Sequence, residues 1–318
     1  MQTDSLNSFD LDAYLSEQST VIDHALETCL EHYPSDSTTI FRALRYGVFP
    51  GGKRIRPILA LAAGELFGAA PVRILPFACA LEMIHAYSLI HDDLPALDDD
   101  DLRRNAPTAH KVFGEGMALL AGDGLLTEAF HILSNPELTR CVPAATVLRV
   151  IHELTRAVGV LGLVGGQAMD LEAENQAVDL ATVEFIHVRK TGALLLASLR
   201  IGAQIAGASA EELVRISRYG EYLGLAFQIA DDILDFQGED AAGASSESGH
   251  NEKRKATYPS IVGIVQARER LTELLQLCLQ ELAPFGARAA PLQAIARHVV
   301  TRAIRSNSEK SPKESNAQ

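Results

Sequence analysis

Apolar residues recur along this chain at helical spacing, with little of the period-2 alternation of a half-buried strand, and Ala and Leu dominate the apolar stretches. The pattern predicts an all-α protein. It breaks near Gly47 to Gly52, Pro71, Pro107, Pro136, Pro143 and Gly207, where Gly or Pro interrupts helical backbone, leaving room for about ten or more helices. Two segments lack the pattern. Gly238 to Lys255, rich in Gly, Ser and charge, reads as a flexible loop, and Ser306 to Gln318, almost wholly polar, reads as a disordered tail. With no repeat of domain-building length and no proline-rich linker, residues 1–305 are expected to form a single large helical domain followed by the tail at 306–318.

Composition narrows the function. The longest run without a charged residue, Ala157 to Met169, is broken by four glycines and falls short of the roughly 20 residues of a membrane span, so no membrane span is expected. Met1 to Asp12 carries acids where a signal peptide needs a basic flank and an apolar run, which makes a cytoplasmic location the expectation. Cysteines 29, 79, 141 and 278 have no paired spacing and read as reduced, buried fillers. A formal net charge of −13 argues against nucleic acid as a partner. Such a chain handles phosphates only by concentrating cations locally or recruiting metals.

Two aspartate clusters supply the candidate chemistry. In D-D-I-L-D, Asp231 and Asp235 stand at i and i+4 and share a helix face. A solvated acidic face would explain them, but Leu225, Phe227, Ile229, Ile233, Leu234 and Phe236 make the segment too apolar for an ordinary surface, and carboxylates in such company need a cation. In D-D-L-P-A-L-D, Asp98 would lie about 240 degrees round an ideal helix from Asp92. Pro95 cannot continue the hydrogen-bond ladder, so the Leu94-Pro95-Ala96 stretch is expected to end or bulge the helix and let Asp98 swing back. Hard oxygen ligands of this kind favour magnesium, with manganese as a substitute, and two clusters suggest several ions around a diphosphate.

Basic residues stand where such a site needs them: Lys53 and Arg56 in G-G-K-R-I-R-P, then Arg103 and Arg104 after the acidic run. Gly51 and Gly52 allow close backbone approach to an anion, and arginine suits bidentate phosphate contact. His85 lies two turns before Asp92 on the same face, either as a ligand or as a satisfied core histidine.

Taken in order, GGKRIRP (Gly51 to Pro57), IHAYSLIHDDLPALDDDDLRR (Ile84 to Arg104), PTAH (Pro107 to His110), LAGD (Leu120 to Asp123), GGQAMDL (Gly165 to Leu171), KTGAL (Lys190 to Leu194), FQIADDILD (Phe227 to Asp235) and KATYP (Lys255 to Pro259) carry a resemblance. The chain resembles the short-chain trans-isoprenyl diphosphate synthases, most of all the bacterial farnesyl diphosphate synthases. The resemblance implies an all-helical bundle around a deep central cavity, a homodimer, and both acidic motifs facing each other across the cavity mouth. It also implies roles. Lys53, Arg56, His85 and Arg104 would hold the diphosphate of isopentenyl diphosphate, and Arg103, Lys190 and Lys255 that of the allylic diphosphate. Asp92, Asp98, Asp231 and Asp235 would bind magnesium, while Thr191 and Gln228 would face the allylic cation. Tyr87, with Ser88 beside it, would floor the pocket and stop the product at farnesyl; geranyl and geranylgeranyl products are the alternatives.

The chain departs from the family between Asp235 and Lys255. Ala244-Ser245 and His250 stand where relatives carry Gly-Lys and an aspartate, and Asn105 stands where a glycine is usual. The altered loop motivates a second reading, a regulatory subunit of a heteromeric prenyl synthase, which the two intact motifs oppose. A terpene cyclase or metal-dependent phosphohydrolase is a third. The set Lys53, Arg56, His85 and Arg104 argues against it, having no job without a second diphosphate.

Overall fold

A computed structural model describes residues 9–31, 38–49, 51–174, 176–242 and 257–305. Lys255, the departures at 244, 245 and 250, and the tail at 306–318 lie outside the described residues. Within them the chain is all-α, as the pattern predicts. The elements run α1 (Leu11–Leu30), α2 (Thr39–Val48), α3 (Ile55–Leu66), α4 (Pro71–Asp92), a two-stranded ribbon β1 (Leu102–Arg103) and β2 (Ala106–Pro107), and α5 (Ala109–Phe113). They continue with α6 (Glu115–Leu133), α7 (Ala144–Val158), α8 (Leu163–Ala173), α9 (Leu180–His187), α10 (Ala193–Ala206), α11 (Ala210–Ala242), α12 (Tyr258–Val262), α13 (Ile264–Leu282) and α14 (Ala290–Arg305).

Helix α4 is the axis of the fold. Pro71 starts it, where a missing N–H costs nothing, and α3 and α6 pack against its flanks. It is long and apolar enough to cross a membrane, yet 72% of its most apolar window is buried inside the protein, so its hydrophobicity is spent on the core. On the other side of α3 lies α10, which packs in turn on α11, and α11 packs on α13 and α14. Tyr219 of α11, fully buried, satisfies its hydroxyl by donating to the Leu292 carbonyl at 2.8 Å, which fixes α14 against α11.

Two expectations need correction. Helix α11 runs on to Ala242, so the first residues of the Gly238 to Lys255 segment continue helical backbone. Of the four cysteines, Cys79 and Cys278 are buried as expected, but Cys29 is half-buried and Cys141 is exposed.

Candidate active site

The first aspartate cluster is built by a helix end that folds back. Helix α4 stops at Asp92, and the Leu94 and Leu97 N–H groups close successive turns onto His91 and Leu94. The Asp98 N–H then donates to the Asp92 carbonyl at 2.9 Å. Pro95 sits at the outer, exposed point of this turn, where its lost donor is harmless. Asp98 is thereby returned to Asp92, as the proline predicted.

Asp93 goes elsewhere. It is buried and accepts a 2.6 Å hydrogen bond from Arg103 Nε. Arg103 stands on β1, and the ribbon pairs Leu102 with Pro107 and Arg103 with Ala106. The two linking residues, Arg104 and Asn105, both have positive φ, at 53° and 64°. A two-residue hairpin turn of type I′ needs that conformation at both positions, and asparagine follows glycine in tolerating it. Asn105 is therefore a workable replacement for the usual glycine.

The turn delivers Arg104 to the G-G-K-R loop, where its guanidinium donates to the Gly51 carbonyl. A Cβ on Gly52, whose φ is 159°, would come within 2.7 Å of Arg104 Nη1. The next residues divide sharply. Arg54, buried, is locked by Asp23 at 2.9 Å, Glu82 at 2.7 Å and the Val48 carbonyl at 2.8 Å, so it is structural. Lys53 is exposed, and Arg56 is half-buried with its Nε lacking a hydrogen-bond partner.

Burial pulls the Arg56 guanidinium down to about 10, with Glu82 and Asp231 opposing and Arg104 adding to the fall. His85 is held well below its ordinary value by burial and then by Arg56, Arg104, Arg103 and Arg54. It is neutral at pH 7, and its Nδ1 is buried without a partner.

At the second cluster an unbroken helix does the work. On α11, Asp232 turns away to accept the Tyr258 N–H at 2.6 Å and stands 3.5 Å from His187 Nε2. Burial pushes its carboxyl up to about 7, with Asp235, Asp231 and Asp170 adding to the rise. Asp231 and Asp235 are left on one face, both carboxyls raised by burial and, for Asp235, by Asp231 next. Asp231 feels Arg302 first among its cations, then Lys53 and Arg56.

Between the clusters runs the π-turn Val188–Gly192, which joins α9 to α10 and carries Lys190 and Thr191. Lys190 donates to Asp170 of α8 at 2.7 Å. The close approach of the two backbones depends on Gly166, where a Cβ would meet the Lys190 backbone nitrogen at 2.4 Å. Thr191 and Gln228 are half-buried, Gln228 three residues before Asp231 on the same side of α11.

The electrostatics tie these groups into one site. Burial raises Asp92 to about 6, with Lys190 and Arg103 pulling back and Asp98 and Asp93 adding. Asp231 feels Lys53 and Arg56, while Arg56, Arg103 and Arg104 crowd His85. Asp170, which holds Lys190, acts on Asp232. Asp92 thus stands in reach of Lys190 and Arg103, and Asp231 and Asp235 share Arg302, while among the described residues no three acids, histidines or cysteines converge to hold a metal unaided. That donor set fits magnesium, which takes one or two carboxylates and completes its octahedron with water and phosphate oxygens.

Tyr87 lies one turn before His91 on α4, its ring edge-on to that imidazole at 5.7 Å. It is buried, its hydroxyl has no partner, and burial followed by Asp92 pushes it up to about 12. Ser88, also buried, donates to the His85 carbonyl at 2.9 Å. Two hollows stand out. The wider, about 1150 Å³, runs between α7 and α10 past Arg73, His152 and Arg200 and includes no predicted site residue. The smaller, about 240 Å³, opens beside the second cluster and is lined by Lys53, Phe227, His298 and Arg302.

Sequence reasoning missed the partners: Glu82 for Arg54, Asp93 for Arg103, Asp170 for Lys190, His187 for Asp232 and Arg302 for Asp231. One signal was available for Glu82, a lone charge in the otherwise apolar stretch from Ile74 to Ile90.

Known proteins resemble this chain over most of its length. A family described as polyprenyl synthetase matches residues 37–284. Farnesyl diphosphate synthase of Geobacillus stearothermophilus is 41% identical over 92% of this chain and 98% of its own. Geranylgeranyl diphosphate synthase of Cyanophora paradoxa is 43% identical over 93% of this chain and 97% of its own. The crystal structure of geranyltransferase from Legionella pneumophila superposes with a TM-score of 0.83 at 34% identity, covering 93% of this chain and 98% of that one. With the match running through both aspartate clusters and every helix between them, the chain belongs to the polyprenyl synthetase family and is a prenyltransferase.

Proposed function

We propose that the enzyme is a magnesium-dependent farnesyl diphosphate synthase, condensing isopentenyl diphosphate with dimethylallyl or geranyl diphosphate. The observation that carries this is the electrostatic field: burial raises Asp92 at one cluster and Asp231 and Asp235 at the other, with Lys190 and Arg103 acting on the first and Arg302, Lys53 and Arg56 on the second, where Arg56 Nε has no hydrogen-bond partner. In this reading Asp92, Asp98, Asp231 and Asp235 hold the metals. Lys53, Arg56, His85 and Arg104 hold the isopentenyl diphosphate, and Arg103, Lys190 and Lys255 the allylic diphosphate. Magnesium held by these aspartates would supply positive charge to offset that growing on the leaving diphosphate as the allylic C–O bond breaks.

The side chains do the rest. Arg103 and Lys190 are pre-set by Asp93 and Asp170, so they meet the developing charge without reorganising. Neutral His85 contributes a directed N–H. Thr191 and Gln228 present oxygen atoms toward the allylic cation, and the apolar wall of α4 keeps water from quenching it. The isopentenyl double bond attacks the cation, and the proton then lost goes to the departing diphosphate. No nucleophilic side chain takes part.

Product length rests on Tyr87, whose bulk below Asp92 supports a fifteen-carbon stop. Similarity to a geranylgeranyl synthase supports the alternative of a longer product. A homodimer is supported by exposed apolar side chains on neighbouring helices, Leu119 and Leu120 of α6, Leu148 of α7, and Val164 of α8. Incubation with magnesium, isopentenyl diphosphate and either allylic diphosphate, followed by measurement of product chain length, tests the reading. A C15 product supports it. No condensation at any length would overturn it.

A further inference from the structure

Arg302 projects from α14 into the second cluster, 71 residues along the chain from Asp231. Its guanidinium donates to Asp231 Oδ1 and lies over the Phe227 ring at 4.8 Å, and the side chain is 17% exposed. Its Nε is buried without a hydrogen-bond partner. The guanidinium is thus held on two sides, by a carboxylate and by an aromatic face.

Three cations, Arg302, Lys53 and Arg56, compete for the field of this one carboxylate. A metal reaches this oxygen of Asp231 only once Arg302 is off it. The hollow of about 240 Å³ beside it, lined by Lys53, His298 and Phe227, gives the guanidinium somewhere to go.

We propose that Arg302 is a resident counter-ion of Asp231 that competes with the divalent metal for that carboxylate, so that metal loading at the second cluster requires its displacement. The proposal rests on the reading of Asp231 as a metal ligand. It makes Arg302 a positioning residue that acts through Asp231, keeping a half-buried carboxylate neutralised until metal arrives.

The test is a titration of the full-length protein with Mn²⁺ alone, in the absence of any diphosphate, followed by electron paramagnetic resonance of the free ion. If Arg302 occupies Asp231 in about four of five molecules, apparent affinity is lowered on the order of fivefold. Arg302→Gln is expected to recover that factor at the second cluster. Arg302→Lys is expected to fall between, because a hydrated point charge holds a carboxylate less well than a guanidinium fork. Equal or weaker Mn²⁺ binding in Arg302→Gln overturns the proposal. Should that variant fail a thermal-melt check of folding, Arg302→Lys decides alone, and wild-type affinity in it overturns the proposal.

Asp231→Asn separates this from the underlying assignment. Weaker Mn²⁺ binding in Asp231→Asn together with no gain in Arg302→Gln would sink the competition alone. Unchanged Mn²⁺ binding in Asp231→Asn would sink the ligand assignment, and the competition with it.

Discussion

The two aspartate clusters reach one geometry by different means. At the second, a continuous helix places Asp231 and Asp235 one turn apart, and nothing but helical spacing is required. At the first, the helix ends at Asp92 and the backbone must fold back through a proline turn, an Asp98 to Asp92 hydrogen bond and a hairpin ribbon before its carboxylates and arginines align. In both, the middle aspartate is withdrawn: Asp93 binds Arg103 and Asp232 binds the Tyr258 N–H. A helical site thus depends on few other residues, whereas a site built from turns depends on every turn that shapes it. The second cluster should therefore tolerate changes around it better than the first.

The largest expected effect would break that comparison at its centre. Asp92→Asn and Asp231→Asn should each lower kcat on the order of 10³-fold, as expected when several kcal/mol of leaving-group stabilisation are lost. Asp93→Asn should also cost heavily, because it removes the negative charge that holds the Arg103 guanidinium in place. Asp232→Asn, an isosteric change that keeps an acceptor for the Tyr258 N–H, should cost less than Asp93→Asn. Steady-state rates for the four variants check this. Equal losses in Asp93→Asn and Asp232→Asn would show that the turn-built cluster is no more dependent on its middle aspartate than the helical one.

Chain length should respond next. Tyr87→Ala removes a buried ring below Asp92 and is expected to shift the product beyond fifteen carbons while condensation continues, read by chromatography of the dephosphorylated products. An unchanged product would remove Tyr87 from its assigned role.

The metal-free protein should also show the cost of holding these carboxylates. Asp92 is raised by burial to about 6, above its ordinary value of 3.8, so the folded state binds more protons than the unfolded state in the window between. Stability from this group is therefore fully present below about pH 4 and lost as pH rises through about 6. In the presence of a chelator, Asp92→Asn should match wild type near pH 4 and exceed it near pH 8. The excess is expected to be about 1 to 2 kcal/mol after allowance for residual solvation. Adding magnesium should narrow or reverse the order. Thermal melts at both pH values check it, and a wild type that stays the more stable at pH 8 without metal would contradict the assigned burial.

How much of this was legible in sequence follows from the same contrast. Asp231 with Asp235, and His85 with Asp92, follow from helical period, which is local. The return of Asp98 was legible because one residue, Pro95, forbids the alternative. Tyr87 was not legible from spacing, since five residues turn it well off the Asp92 stripe, and only resemblance pointed to it. Arg302, Asp170 and His187 were invisible because their partners lie 71, 20 and 45 residues away, beyond any spacing rule. Arg54 was read only as part of a basic run, although its positive φ of 47° and three partners make it a structural lock.

The smallest expected effect tests the turn itself. Asn105 has φ of 64° in the linker that aims Arg104, a conformation glycine adopts freely and a β-branched residue does not. Asn105→Gly should leave melting temperature and the KM for isopentenyl diphosphate nearly unchanged, since glycine adopts the same positive φ without strain. Asn105→Val should cost about 1 to 2 kcal/mol of stability through left-handed strain. It should also raise that KM, because Arg104 would no longer reach the Gly51 carbonyl from the same turn. The KM for the allylic diphosphate should move less, because Arg103 is anchored separately by Asp93. If Asn105→Val raises both KM values equally, the ribbon moves as a unit and the two arginines are not independently placed.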